Sequence, residues 1–266
     1  MNRDYKKVNR RAWQYLAHHG SDSSQPYGPE QMAHARDWLD SEGWIPWDQV
    51  RSVLCLAAAG GQQALLFASL NCQVTSVDLS SAQLQLDRDV AERYNLDIEC
   101  IEADMLDLSS LHGRRFDLVY QAVSACYVPA VLPLYREVFR VLKPGGYYRV
   151  EHWNPVHVQL SEMQAWDGEA YRVARPQRAG EPMPWIPAKD EDLDDPAACW
   201  HYIHPLDHLI GGLCDAGFVI LRFAETRQGD VSAEPGSHAH LAAYLPPFFA
   251  LLAQRNFVPD EAKLIT

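Results

Sequence analysis

The sequence predicts an α/β fold built on a doubly wound, seven-stranded, mostly parallel sheet with an antiparallel edge strand and an inserted lid. Three observations predict it. Short apolar runs alternate with segments of helical period from residue 50 to about 152, which is typical of βαβ units. The alternation then breaks into a Pro-, Trp- and acid-rich stretch. A helix, a strand and a last apolar run follow, and the last run can pair antiparallel with the strand before it.

Each predicted strand is a short apolar run bounded by turn residues. Five lie in the alternating region and two near the C-terminus. The predicted strands are 52–58, 73–78, 97–101, 116–121, 147–151, 218–223 and 247–253.

Helices are predicted between these strands from apolar positions that recur every three or four residues. The helix over 80–94 opens with Ser80 and Gln83 at the spacing of a capping box. The helix over 131–142 is stopped by the Lys-Pro-Gly-Gly run at 143–146. A third helix presents one apolar face: Leu206, Leu209, Ile210 and Leu213.

The length of 266 residues fits one domain with additional covering segments better than it fits two domains. We expect short helices before the core and an insertion inside it. The predicted division is an N-terminal helical cap segment at 1–45, the core at 46–152, the lid insertion at 153–203, the rest of the core at 204–256 and a tail at 257–266.

The composition excludes several function classes. A formal net charge of −12 at pH 7 leaves no general positive field for nucleic acid or an anionic membrane. The six cysteines show no C-x-x-C pair and no metal-ligand spacing, which is typical of reduced thiols in a cytoplasmic protein. No apolar stretch reaches the roughly 18 residues of a membrane span, and the N-terminus has no signal-peptide core.

A ligand site is predicted beyond the carboxyl ends of the first two strands. In an open parallel sheet, ligands bind at this edge, next to the point where the strand order reverses. The small residues at 57–61 allow close approach to the backbone, and a helix N-terminus follows them. Asp78 ends the second strand, where a carboxylate can accept hydrogen bonds from both hydroxyls of a ribose.

The order of these motifs resembles a known family. After the small-residue turn and Asp78 come Ala-Asp-Met at 103–105, Phe-Asp-Leu-Val at 116–119 and Arg-Val-Leu-Lys-Pro-Gly-Gly at 140–146. The sequence resembles the class I S-adenosylmethionine-dependent methyltransferases over residues 50–152. It is most similar to the small-molecule group that includes ubiquinone/menaquinone-biosynthesis-like enzymes. The resemblance implies a Rossmann-like methyltransferase fold and S-adenosylmethionine as cofactor.

The resemblance also implies which residues hold the cofactor. Asp78 would bind the ribose hydroxyls and Leu79 would lie beside the adenine. Asp104 would accept from the adenine amino group, Met105 would lie against the ring, and Gln121 would reach the methionine end. The loop under the methionine part would comprise Ala57, Ala59, Gly60, Gly61 and Gln62.

The chain departs from the family pattern in this loop. The family usually has an acid at the position of Cys55 and glycines at the positions of Ala57 and Ala59. Alanine disfavours a positive φ, so the resemblance leaves open how the loop is held.

Candidates for general acid–base catalysis lie where the fourth and fifth strands end and in the segments that would cover them. His152 is the first candidate for a base or an acceptor-orienting group, because an ordinary histidine pKa of about 6.5 suits proton removal near neutrality. The alternative is a histidine hydrogen-bonded at the strand end. Tyr127 is the second candidate, with packing on the cofactor or the core as its alternative. His204 is the third, because it borders the lid insertion.

A metal site is not expected. His201, His204 and His208 have a ligand-like spacing, but Pro205 marks a helix start and removes His204 from a regular i, i+4 pair. No nearby cysteine or glutamate completes a ligand set.

We therefore expect methyl transfer by in-line displacement to a small, partly apolar acceptor that is covered by residues 1–45 and 153–203. Ten aromatic residues of these two segments can wall such a pocket or form the core of a small subdomain. Two alternatives stay open. One is a nicotinamide-dependent oxidoreductase, although the first strand is not followed by G-x-G-x-x-G. The other is a non-catalytic protein that binds the cofactor on the same fold.

Overall fold

A seven-stranded sheet forms the centre of the protein. The structure is a computed structural model, and it describes residues 4–160, 166–173, 179–185, 198–226 and 229–256. Its strands are β1 Ser52–Leu56, β2 Gln73–Asp78, β3 Ile98–Glu102, β4 Phe116–Gln121, β5 Leu142–Trp153, β6 Pro182–Trp185, β7 Cys199–Tyr202, β8 Phe218–Glu225 and β9 Phe248–Arg255.

The sheet has the predicted topology. Its strand order is β3-β2-β1-β4-β5-β9-β8. The first five strands pair in parallel, while β9 runs antiparallel to both β5 and β8. The fold class is thus confirmed, with an antiparallel pair at one edge. Strands β6 and β7 form a separate two-stranded sheet within the lid insertion.

Helices cover both faces of the sheet. They are α1 Tyr5–His18, α2 Pro29–Ala33, α3 Ala35–Leu39, α4 Gln63–Ser69, α5 Ser81–Tyr94, α6 Val131–Val141, α7 Pro155–Leu160, α8 Gly212–Asp215 and α9 His238–Tyr244. Because strand side chains alternate, β1 contributes to two cores. Leu54 and Leu56 pack with α6, whereas Val53 and Cys55 pack with α3 and α4.

The helix boundaries follow from local chemistry. Helix α5 begins at the predicted place, where the Ser80 hydroxyl accepts a hydrogen bond from the backbone of Gln83. Helix α6 ends at Val141, and β5 then begins at Leu142, five residues earlier than predicted. The run at 143–146 is therefore a bulge inside β5, with Gly145 at φ +78°.

The expected apolar face of the helix after Pro205 is only partly buried. Leu209 and Leu213 belong to the core, but 41% of Leu206 is exposed. The first turns, Asp207–Gly211, are a π-helix, whose wider turn changes the direction of the side chains from that of a regular α-helix.

The helices of the predicted cap segment pack in two places, since α2 and α3 contact α4 on one face of the sheet. Helix α1 packs against α5 and β7. The side-chain amide of Asn9 donates to the backbone carbonyls of Tyr127 and Trp200 and accepts from the backbone N–H of Trp200. One buried side chain thus joins α1 to the core and to the lid insertion. Of the helices that the structure describes, none is long and apolar enough to cross a bilayer.

Candidate active site

A cavity of about 330 Å³ lies beyond the carboxyl ends of the parallel strands, within the size range of small-molecule sites. Most of its wall is apolar or aromatic. The predicted site residues that line it are Ala57, Ala59, Gln62, Asp78, Leu79, Asp104, Met105 and Tyr127. Five other predicted residues are not in its wall: Gly60, Gly61, Gln121, His152 and His204.

The loop after β1 has an unusual backbone for its residues. Ala57 and Ala59 adopt φ values of +44° and +50°, and Gly61 follows at +75°. This left-handed region costs an L-residue with a Cβ roughly 1–2 kcal/mol. The two alanines therefore keep the conformation that glycines would adopt without strain, and they stay in the cavity wall.

Helix α5 holds this loop from behind. The backbone N–H of Gly60 donates to Gln83 Oε1 at 2.7 Å, and that of Gly61 donates to Asp87 Oδ1 at 2.7 Å. A Cβ at Gly60 would meet the backbone oxygen of Gln83 at 2.1 Å, so this position requires glycine for packing. The two glycines thus fix the loop against α5 and do not contact the cavity.

Asp87 supports the loop, a contact that the sequence did not reveal. Its second carboxylate oxygen accepts from the hydroxyl of Ser76 on β2. Burial raises the pKa of Asp87 to about 6, although the bonds from Ser76 and Gly61 oppose the rise. Cys55 is fully buried nearby, where the resembled family has an acid. The buried carboxylate of this loop therefore comes from a helix and not from β1.

Asp78 lies in the cavity wall at the end of β2. Its Oδ1 accepts from the backbone N–H of Ser80 at 2.7 Å, which fixes the carboxylate. Burial raises the pKa of Asp78 to about 7, and the charge of Asp87 adds to the rise. The carboxylate is therefore half ionised near neutrality, and hydroxyl donors from a ligand would stabilise the ionised form.

Asp104 already has partners from the cap segment. The hydroxyl of Tyr5 donates to Asp104 Oδ2 at 2.6 Å, and the Lys6 ammonium lies 2.7 Å from the same oxygen. The other oxygen accepts from the backbone N–H of Leu106. Helix α1 is thus attached to the carboxylate at the end of β3.

Three aromatic and polar residues of α1 line the cavity: Tyr5, Asn9 and Trp13. Their i, i+4, i+8 spacing places them on one helix face, and this spacing is the sequence signal that could have revealed them. Trp13 packs edge-on against Tyr127 with ring centroids 5.4 Å apart. The cap segment therefore contributes side chains to the cavity wall.

Gln121 is held inside the core. Its amide nitrogen donates to the Ser124 hydroxyl at 2.9 Å and lies 3.5 Å from the Met105 sulfur, while its oxygen accepts from Tyr148. The side chain is 1% exposed. It supports Met105, which lines the cavity, and does not reach the cavity itself.

The end of β5 presents a different residue from the one expected. His152 is buried, and its Nε2 lies 3.2 Å from the Tyr135 hydroxyl, on the side of α6. Burial lowers the pKa of His152 to about 3, so the ring is neutral. Because strand side chains alternate, its neighbours Glu151 and Trp153 point into the cavity. Glu151 is the titratable group that β5 brings to the site.

Tyr127 and His204 have different surroundings. Tyr127 lines the cavity, and burial raises its pKa, so its hydroxyl stays protonated. His204 is buried, and its Nε2 lies 3.1 Å from the backbone oxygen of Ala125. Burial lowers the pKa of His204 to about 4. In the described part of the chain, no three His, Cys, Asp or Glu side chains could hold a metal ion.

Comparison with known proteins decides the family. Residues 54–150 match the family described as "Methyltransferase domain". A Bacillus subtilis protein named as the uncharacterized methyltransferase YbaJ is 34% identical over 188 residues, which cover 71% of this chain and 73% of that protein. The chain belongs to the class I S-adenosylmethionine-dependent methyltransferases. The resemblance inferred from the sequence motifs is thus confirmed.

One further relative and one solved structure of similar fold carry names that state a substrate. Sterol 24-C-methyltransferase ERG6 of Saccharomyces cerevisiae is 27% identical over 133 residues, 46% of this chain and 34% of that enzyme. The crystal structure of geranyl diphosphate C-methyltransferase from Streptomyces coelicolor, a complex with Mg²⁺, geranyl diphosphate and S-adenosyl-L-homocysteine, matches with a TM-score of 0.60 and 15% identity. That match covers 96% of this chain and 99% of the other.

The site of the methyltransferase fits its cofactor by its own chemistry. A carboxylate at Asp78 suits a ribose diol. The side-chain oxygen of Gln63, another residue of the wall, is buried without a hydrogen-bond partner among the described residues, so it can accept from a bound molecule. Both groups are acceptors, which matches the hydroxyl and amino donors of S-adenosylmethionine.

Proposed function

We propose that this methyltransferase transfers a methyl group from S-adenosylmethionine to a small, partly apolar molecule by in-line displacement. One observation carries the proposal: the same cavity joins the carboxylates of Asp78 and Asp104 to an apolar and aromatic region around Trp153 and Phe248. The first part suits the cofactor and the second part suits the acceptor.

The cofactor part lies over β1, β2 and β3. Asp78 accepts from the ribose hydroxyls, and Leu79 and Met105 enclose the adenine. Asp104 is tied to Tyr5 and Lys6, so the adenine amino group would share this carboxylate with α1. The strained loop at Ala57 and Ala59 leaves space for the methionine part.

The acceptor part lies over β4 and β5. Apolar and aromatic side chains from three segments form its wall: Val123, Tyr127, Val128, Trp153 and Phe248. Trp153 and Phe248 pack with ring centroids 4.5 Å apart. Such a wall favours apolar surface and excludes water from the reacting sulfonium. The names of the sterol methyltransferase and of the geranyl diphosphate methyltransferase agree with a partly apolar acceptor.

The chemistry requires alignment more than it requires a dedicated nucleophile. The cofactor, when bound, supplies an electrophilic methyl group on a sulfonium. The chain supplies the geometry: the loop and Asp78 fix one reactant, and the aromatic wall fixes the other in line with it. His152 is not expected to act as a base, because burial lowers its pKa to about 3 and its ring lies against Tyr135, outside the cavity wall.

A labelling experiment tests this proposal. The protein is incubated with S-adenosylmethionine that carries a radioactive methyl group and with a metabolite extract. Label should move into molecules that an organic solvent extracts, and Asp78→Asn should reduce the transfer. Label that appears only in protein or nucleic acid, or transfer that is equal in the variant, would contradict the proposed acceptor or the proposed role of Asp78.

A further inference from the structure

The charges in the cavity wall are unbalanced. Its described residues include three carboxylates, Asp78, Asp104 and Glu151, and include no Lys, Arg or His. In the proposed function, Asp78 and Asp104 serve the cofactor, and Asp104 is further paired with Lys6. Glu151 has no role in cofactor binding. It is the charged group of the acceptor part.

Glu151 is fixed by an ion pair with a buried arginine. Its Oε1 lies 3.0 Å from the Arg149 guanidinium, which is also 3.0 Å from Glu42. Arg149 is 2% exposed, and its guanidinium lies over the Trp44 ring. Two carboxylates share one cation, so this group keeps a net charge of −1. Of the three charged residues, Glu151 is the one in the cavity wall.

Aromatic rings line the same cavity as Glu151. The Trp153–Phe248 pair and the Trp13–Tyr127 pair all line the wall together with Glu151. The faces of such rings attract a cation by their quadrupole, most strongly where water is excluded. A carboxylate among aromatic rings therefore favours a ligand that is apolar except at one positive centre.

We propose that the acceptor is a hydrophobic amine, which binds as its ammonium ion with the charged nitrogen at Glu151. This inference rests on the proposed methyl transfer and names its substrate class. The ammonium gives one proton to Glu151 Oε2, the oxygen that is not paired with Arg149. The nitrogen lone pair then forms the new N–CH₃ bond, while the S–CH₃ bond breaks and its electron pair stays on sulfur. The products are a methylated ammonium ion, a neutral thioether and a protonated Glu151.

A pair of matched probes tests the inference without knowledge of the natural acceptor. Binding of 3-phenylpropylamine and of 3-phenylpropan-1-ol is measured by calorimetry at pH 7.5, on protein saturated with S-adenosylhomocysteine. The two molecules have the same apolar part, but only the amine is charged. The wild-type protein should bind the amine about tenfold more tightly or better, because a hydrogen bond between charged groups is worth about a factor of ten.

Two variants locate the effect. Glu151→Gln keeps the size of the side chain and should remove the preference for the amine while S-adenosylhomocysteine still binds. Glu92→Gln removes the same charge from an exposed position on α5 and should keep the preference. Equal binding of the two probes by the wild type, or a preference that survives in Glu151→Gln, would overturn the inference alone. Failure of S-adenosylhomocysteine to bind the wild type would overturn the proposed function and this inference together.

Discussion

The affinity for the cofactor should depend on pH through Asp78. This carboxylate lies in the cavity wall, and burial raises its pKa to about 7 in the free protein. Only the ionised form offers both oxygens as acceptors to the two ribose hydroxyls, so protons compete with the ligand. Binding should therefore strengthen as the pH rises through 7, and it should release protons.

The size of the effect follows from the ionised fraction. With a pKa of about 7, Asp78 is about nine-tenths ionised at pH 8 and about one-tenth ionised at pH 6. S-adenosylhomocysteine should therefore bind roughly tenfold more weakly at pH 6, a loss of about 1.4 kcal/mol. At pH 7, binding should release about half a proton per site.

Calorimetry in two buffers of different ionisation enthalpy measures both quantities. Asp78→Asn is the matched control, because it keeps the shape of the side chain and removes its titration. The variant should bind more weakly at pH 8, and its affinity should change little between pH 6 and pH 8. Asp87, whose pKa burial raises to about 6, is present in both proteins. A wild-type affinity that is independent of pH would refute the reasoning.

Three further predictions concern stability and the cavity wall. Ala57→Gly and Ala59→Gly should each raise the free energy of unfolding by about 0.5–1 kcal/mol in urea titrations, because glycine adopts a positive φ without strain. As a control, Ala58→Gly, at a position without positive φ, should lower the free energy of unfolding. Asn9→Ala should lower the free energy of unfolding by about 1–3 kcal/mol, because buried backbone groups lose their hydrogen-bond partners. His152→Gln should also be less stable but should bind S-adenosylhomocysteine as the wild type does; a weaker complex would place His152 at the cofactor after all.

The core of the fold was predictable because its patterns are local. Ser80 begins α5 in the sequence and in the structure, since an N-cap needs only a hydroxyl and the next three residues. Asp78 is predictable for the same kind of reason, because it ends a buried strand and the carboxyl ends of parallel strands meet at one edge of the sheet. Asp104 is predicted by the family resemblance.

The orientation of the side chains at the end of β5 could not be predicted from local patterns. The predicted strand ended at Glu151, which left the direction of His152 open. The actual strand continues to Trp153 through pairing with β9, so alternation places Glu151 in the cavity and His152 behind it. Pairing between strands that are about 100 residues apart in the chain decides which of two neighbouring groups meets the ligand.

Gln83 shows a second limit of prediction from local sequence patterns. Its spacing from Ser80 predicts a reciprocal capping box, in which its side chain would bond the Ser80 backbone. The Ser80 N–H donates to Asp78 instead, and Gln83 bonds Gly60, Ser24 and the carbonyl of Trp13. These partners come from the cap segment and from the loop after β1. A local pattern cannot reveal such long-range partners.

The attachment of the loop to α5 makes distant parts of the chain depend on each other. The backbone amides of Gly60 and Gly61 are held by side chains of a helix that begins three residues after Asp78. In the proposed function, α5 therefore positions both Asp78, which binds the ribose, and the loop at 57–61, which lies under the methionine part. A substitution that shifts α5 by a fraction of an ångström, even one far from the cavity, would move both contacts at once. We therefore expect cofactor affinity to fall when the packing of α5 is disturbed.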